Sequence, residues 1–267
     1  MRLLAVLTFY DAASDSGGGM SVQERKERAL REREELFLKV ARRLLIEKGF
    51  HGLTMDRIAE ETEYSKGTVY LHFSCKEEVI LELGKRSRKQ RLDMILRSVA
   101  FEGRPRERIM AVGVAVELHA RLHPADIRIW EIMNAESIVE KIPADRQSDL
   151  KASDLAVNDI LIGLVNDAVA CGDLELRPGD TAGDIAFGLW AITDGGFAAI
   201  LGGVPLDNLG LKDPYATLFK NCHLLGDGYG WRPLLREWDY DATLRRIRRE
   251  VFPEESRRVY GAAFSEE

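Results

Sequence analysis

Six polar side chains are clustered between positions 65 and 76 and carry hydroxyl, ammonium, phenol and imidazole groups. Such groups bind phosphate oxygens and the hydrogen-bonding edges of bases, so their chemistry is recognition rather than bond making. Gly67 lies among them and leaves room for the backbone to approach a sugar-phosphate wall. The six side chains are Ser65, Lys66, Thr68, Tyr70, His72 and Lys76.

Two short helices are predicted to position this polar tract. Thr54 can cap the first, which ends near Thr62, and Ser65 can cap the second, which runs from Lys66 to His72. A helix, a three-residue turn and a capped short helix form the helix-turn-helix geometry, whose second helix enters a major groove of DNA. The apolar positions that this pattern turns inward are Ile58, Ala59, Val69 and Phe73.

The tract closely resembles the DNA-binding domain of the TetR family of bacterial repressors. The matching positions are Thr54, Ile58-Ala59, Ser65 to Thr68, Tyr70, His72-Phe73 and Lys76-Glu77. The resemblance implies an all-α fold, with a three-helix helix-turn-helix DNA-binding head and a larger helical ligand-binding and dimerisation domain. The residues then expected to contact DNA are Thr54, Ser65, Lys66, Gly67, Thr68, Tyr70, His72 and Lys76.

Two positions depart from the family pattern. Glu63 stands where glycine is usual, because the residue after a helix end prefers a left-handed backbone, and glutamate there costs about 1 kcal/mol. Cys75 stands where serine or asparagine commonly begins the next helix. Ser74 and Glu77 are predicted to form a capping box one residue earlier.

Charge is distributed unevenly along the 267 residues, of which 45% are apolar and 31% charged. The formal net charge is −6, yet residues 21–97 carry a net +4 and residues 98–267 a net −9. A basic end on an acidic body places positive charge where the polar tract lies, as nucleic-acid binding requires.

Four segments are predicted from the composition. Residues 1–20 are expected to be a disordered extension or a mis-assigned start, with natural translation beginning at Met20. Residues 21–80 form the DNA-binding domain, residues 81–232 the helical ligand-binding and dimerisation domain, and residues 233–267 a C-terminal helical tail. Within the tail, four arginines near position 247 are favoured as a solvated face over a second DNA contact; they are Arg245, Arg246, Arg248 and Arg249.

The first helix of the DNA-binding domain is predicted to end at Gly49. Its charged start, Ser21 to Arg33, is either a solvated extension of the helix or a basic arm that touches DNA, and the extension is favoured slightly. The apolar face of this helix is predicted to comprise Leu36, Phe37, Val40, Ala41, Leu44 and Leu45.

Two body helices, residues 181–201 and 214–226, are predicted to form a homodimer interface. Small residues give the first a smooth surface, and Leu218 and Phe219 belong to an apolar stripe on the second. The resemblance also implies a dimer, in which these helices from both copies form a four-helix bundle. The alternative is that both helices fold into the core of one copy.

A small-molecule effector site is expected in the body, because aromatic residues with a few polar groups are typical of such cavities. The alternative is that these residues are ordinary core. His119 and His123 have the spacing of metal ligands, but further ligands are not evident, so neither a metal nor a cofactor is expected. The candidate ligand-binding residues are His119, Trp130, Met133, Asn134, Trp190, Asp194 and Phe197.

The sequence therefore predicts a dimeric DNA-binding transcriptional regulator, most simply a repressor released from its double-stranded operator by a small molecule. The alternative is a helical sensor that has lost DNA binding. No phosphate-binding loop, nucleophile elbow or CxxC pair is present, so an enzyme is not expected. Three separated cysteines favour a cytoplasmic protein, and no membrane partner is expected, since the most apolar stretch is interrupted by Asp194.

Overall fold

The computed structural model describes residues 21–133, 144–261 and Phe264. Every regular element in these ranges is helical, as the sequence predicts. The expectation for residues 1–20 lies outside the described residues. The helices are α1 Val22–Gly52, α2 Met55–Thr62, α3 Lys66–His72, α4 Lys76–Val99, α5 Pro105–Leu122, α6 Ala125–Met133, α7 Ala144–Ala170, α8 Ala182–Leu201, α9 Pro214–Gly228, α10 Tyr240–Glu250 and α11 Pro253–Tyr260, with a 3-10 turn at Leu206–Leu209.

Helices α1, α2, α3 and the start of α4 enclose one apolar core, and we call this unit the head. Its centre is fully buried and includes Phe37, Ile58 and Val69. Helix α6, which follows α5 in the body, also contributes Ile129 and Met133 to this core. The head is therefore packed directly against an element of the second domain.

Helix α1 differs from its predicted form at both ends. It begins at Val22 behind a capping box between Ser21 and Glu24, so the charged segment is an extension of the helix rather than a separate arm. The predicted end at Gly49 is a break at which φ is 69°, after which helical structure continues to Gly52. Leu36, predicted to be core, is exposed, and Leu38 is buried instead.

The start of helix α4 also corrects a prediction. The capping residue is Cys75, whose side chain makes no capping hydrogen bond. The backbone N–H and the hydroxyl of Ser74 both donate to Glu78 at 2.7 Å. The predicted pair of Ser74 with Glu77 is thus replaced by Ser74 with Glu78, because the helix begins one residue later.

Helices α4, α5, α7 and α8 surround the main body core, which includes Ile95, Val114 and Leu164. The long helix α4 runs from the head core, where Ile80 is buried, to the body core, where Ile95 is buried. A movement of α4 or α6 would accordingly affect both units.

The C-terminal tail packs on α5 through buried charge. Glu117 of α5 is 1% exposed and accepts hydrogen bonds from Arg121 at 2.8 Å and from the hydroxyl of Tyr260 at 2.8 Å. Arg248 lies 3.4 Å from the same carboxylate. The predicted solvated arginine face is therefore wrong for Arg248. Helix α11, which carries Tyr260, was not predicted.

Helix α8 packs against α7 and α9 but leaves much of its apolar surface uncovered. It is long and apolar enough to cross a membrane by length and composition, and only 17% of its most apolar 18-residue window is buried. Large apolar side chains on α8 and α9 are exposed, among them Phe187, Trp190 and Leu224. An apolar surface of this kind marks an interaction site.

Candidate nucleic-acid interface and ligand cavity

Helices α2 and α3 are joined as the sequence predicts. The Thr54 hydroxyl accepts from the backbone N–H of Arg57, and the Ser65 hydroxyl accepts from that of Thr68 at 3.1 Å. Glu63 has φ 59° and ψ 25°, the left-handed conformation of the residue after a helix. Both helix starts and the turn between them are thus specified by local hydrogen bonds.

The outward face of α3 presents polar and apolar groups together. Ser65, Lys66, Gly67 and Tyr70 are exposed, and Thr68 is half-buried. Leu71 is 87% exposed, although we did not predict it as a contact. Leu71 could have been predicted to face outward from the sequence, because it lies one helical turn after Gly67. An apolar side chain at this position could contact a thymine methyl group.

Lys66 is paired within the head. Its ammonium donates to Asp56 of α2 at 2.6 Å, and this hydrogen bond and the carboxylate charge raise the pKa of Lys66. Both side chains are well exposed, so the pair contributes little stability and can open at small cost. A DNA phosphate or base would compete with Asp56 for this ammonium group.

Two predicted contact residues are partly used in packing. The His72 ring lies edge-on to Phe37 with centroids 5.1 Å apart, and burial lowers the pKa of His72. The Lys76 ammonium lies 3.9 Å from the Phe50 ring centroid and 3.4 Å from the Phe50 carbonyl oxygen. These contacts attach α3 to the middle of α1 and α4 to the end of α1.

Replacing Glu63 with glycine is expected to raise the free energy of unfolding by about 0.5–1 kcal/mol, because glycine adopts a positive φ without steric cost. Urea unfolding measures the change. The matched control E63A removes the carboxylate but keeps Cβ, and should stay within about 0.5 kcal/mol of the parent. Equal stabilisation by both variants would assign the effect to charge instead of backbone.

A cavity of about 810 Å³ lies in the body, within the size range of small-molecule sites. Five of the seven predicted ligand residues line it. Met133 does not, because its side chain packs over Gly84 in the head core, and Asn134 lies outside the described residues. The five lining residues are His119, Trp130, Trp190, Asp194 and Phe197.

The sequence analysis did not predict four charged residues of the cavity wall, which are Arg88, Arg91, Arg106 and Asp126. The guanidinium groups of Arg88 and Arg91 lie 4.0 Å and 5.1 Å from the Trp130 ring centroid. Asp126 is buried opposite His119 and forms an ion pair with Arg42 of α1. Together with Arg42, these charged residues lie on α1, α4, α5 and α6, so sequence spacing carried no signal of their proximity.

Comparison with known proteins identifies the head. Residues 37–83 match the family described as bacterial regulatory proteins, tetR family. The Bacillus subtilis protein named uncharacterized HTH-type transcriptional regulator YerO is 42% identical over 52 residues, which are 20% of this chain and 18% of YerO. The head is therefore a DNA-binding domain of the tetR family. The resemblance inferred from the polar tract is confirmed.

Longer matches extend the likeness into the body of this TetR-family protein. The fatty acid metabolism regulator protein of Bacillus subtilis is 26% identical over 146 residues, 55% of this chain and 67% of that protein. A TetR/AcrR-family regulator from Thermobifida fusca shares the fold with a TM-score of 0.58 and 21% identity, covering 74% of this chain and 98% of that one. The match to YerO spans only about a fifth of that relative's length.

Proposed function

We propose that this TetR-family protein is a sequence-specific DNA-binding transcriptional regulator. The observation that carries the proposal is the exposed face of α3, held at a defined angle by two capped helix starts and the Glu63 turn. Lys66 and Tyr70 on that face offer donors to phosphates and base edges in a major groove. Thr54, His72 and Lys76 are proposed to contact the backbone at the edge of this surface.

The working unit is proposed to be a homodimer. One recognition helix of seven residues reads few bases, so two heads on a pseudo-palindromic site are needed for specificity. The uncovered apolar surface of α8 and α9 supports this assembly, since a second copy would bury Phe187 and Leu224. Sedimentation at micromolar concentration tests it, and a monomer both with and without DNA would exclude it.

A small-molecule effector is proposed to occupy the body cavity and release the protein from its operator. The cavity is lined by side chains of α4, α5 and α6, and α4 and α6 also reach the head core. A ligand that favours one arrangement of these helices would shift the population of DNA-competent dimers. We also propose that the protein acts as a repressor and is located in the cytoplasm.

A fluorescence-anisotropy titration against the intergenic DNA beside the protein's own gene tests DNA binding. A TetR-type regulator should bind one labelled fragment in preference to a scrambled sequence, with an affinity that falls as salt increases. An absence of specific binding at low salt would favour the other candidate, a ligand sensor that has lost DNA binding.

Lys66→Ala is expected to weaken binding to the specific site by about 1–3 kcal/mol, and to weaken binding to random DNA less. Asp56→Asn, the matched control, is expected to strengthen DNA binding instead, because it removes the carboxylate that competes with DNA for Lys66. Lys76→Ala should cost about 1 kcal/mol on all sequences, as a phosphate contact does. Equal losses on specific and random DNA for K66A would contradict a base-reading role.

A further inference from the structure

At one end of the cavity, two buried polar atoms have no hydrogen-bond partner among the described residues. His119 and Asp126 are both 5% exposed, and the His119 Nε2 lies 3.6 Å from the Asp126 Oδ2. Neither atom is hydrogen-bonded within the part of the chain that the structure describes. Leaving a buried polar atom without a partner is costly, so a ligand atom that bonded both would bind favourably.

The charges around this end restrict the kind of group that fits. Burial, together with the positive neighbours His123, Arg91 and Arg42, lowers the pKa of His119 to about 3, so its ring is neutral at neutral pH. Asp126 forms an ion pair with Arg42 on its other oxygen. The site thus combines a neutral imidazole with an acceptor carboxylate.

A hydroxyl group matches this pair better than charged groups do. It can donate its hydrogen to Asp126 and accept from the His119 N–H, whereas a carboxylate has no hydrogen to donate to Asp126. An ammonium group would face the guanidinium groups of Arg42, Arg88 and Arg91. The remainder of the wall is largely apolar and includes Leu161, Phe197 and Phe219.

Asp126 also connects this end of the cavity to the head. Its Oδ1 accepts a hydrogen bond from Arg42, which lies on α1 beside the buried head residues Val40 and Ala41. One turn further along α6, Ile129 is fully packed in the head core. A change at the Asp126 carboxylate therefore acts on the ion pair that joins α6 to α1.

We propose that His119 and Asp126 bind the hydroxyl group of an apolar alcohol, and that the Arg42–Asp126 ion pair transmits its binding to the head. The second claim, transmission to the head, rests on the proposed function. The first claim, recognition of the hydroxyl group, concerns ligand binding alone and can be measured without DNA.

Recognition is tested on the unmodified protein with 1-decanol, its isomer methyl nonyl ether, decanoate and decylamine. Binding is followed by the fluorescence of Trp130 and Trp190, which line the cavity. Decanol should bind at least about tenfold more tightly than the ether, since the ether cannot donate to Asp126. Equal affinities, tighter binding of a charged probe, or no saturable binding of any probe would overturn the proposal.

Variants of His119 and Asp126 test whether these two residues cause the preference for decanol over the ether. His119→Leu and Asp126→Asn should each reduce the preference for decanol over the ether to less than about threefold. The matched control is Thr193→Val, in the same cavity, whose hydroxyl already donates to the Leu189 carbonyl oxygen at 2.9 Å. It should leave the preference unchanged. A preference that survives in H119L and D126N would exclude this site.

The link to the head is tested with Arg42→Gln. Saturating decanol should weaken DNA binding of the parent by at least about tenfold and that of R42Q by less than about twofold, although R42Q still binds decanol. An equal response of R42Q and the parent would overturn the transmission step. Failure of the parent to bind DNA would remove the proposed function, while the decanol titrations would still decide the first claim, recognition of the hydroxyl group.

Discussion

Replacing Arg106 with methionine is expected to lower the free energy of unfolding by about 3–5 kcal/mol, among the largest effects of any single substitution in this chain. Arg106 is 3% exposed and donates to the carbonyl oxygens of His223, Trp231 and Pro233. It also pairs with Asp227 at 2.7 Å. Methionine fills similar space but removes the buried donor that the three carbonyl groups and the carboxylate share.

Arg108, two residues along the same helix, supplies the matched control. It forms an ion pair with Asp167 at 2.8 Å, and Asp167 is exposed to solvent. R108M should therefore cost less than about 1 kcal/mol. Urea unfolding of both variants, with unchanged slopes, measures the difference. Similar losses for R106M and R108M would mean that the buried network at Arg106 adds no stability.

Acid is expected to destabilise the protein through the buried His119 and the half-buried His223. Burial and positive neighbours lower the pKa of His119 to about 3. Burial and Arg106 lower the pKa of His223 to about 4, against the opposing effect of Asp227 and Asp241. Each value lies below the ordinary 6.5 of the unfolded chain. The unfolded state therefore takes up protons first as the pH falls.

The stability from each histidine is thus complete above about pH 6.5 and is lost as the pH falls toward the folded-state pKa. From pH 7 to pH 5 each should contribute a loss of about 2 kcal/mol. Chemical unfolding at both pH values, in the parent and in H119L and H223L, isolates the two contributions. Each variant should lose about 2 kcal/mol less than the parent over this interval. A pH dependence that neither variant alters would contradict burial of neutral rings.

The sequence predicted the head closely because its determinants are local. The hydroxyls of Thr54 and Ser65 each accept from the backbone N–H three residues later, and the spacing of Ile58 and Val69 sets the inward faces. The left-handed turn at Glu63 was likewise expected from its position after the helix. Errors in this region were small, such as the capping partner of Ser74 and the exposed Leu36.

The body was predicted less completely because its determinants are distant in the sequence. Arg248 reads as a surface residue among other arginines, yet its partner Glu117 lies 131 positions earlier. Asp126 looks like an ordinary charge near a helix start, and its partner Arg42 lies 84 positions earlier in the head. Charge pairs that stabilise one another only when buried together leave no periodic signal.

The sequence by itself determined the family, the helical class and the surface proposed to face DNA, since these depend on side-chain types at fixed short spacing. Only the tertiary structure decided that α6 belongs partly to the head core, and that His119 and Asp126 meet at the end of a cavity. The physical reason is that burial and charge pairing depend on the three-dimensional arrangement of the helices and not on sequence spacing. They arise when helices far apart in the chain pack together and exclude water from the charges between them.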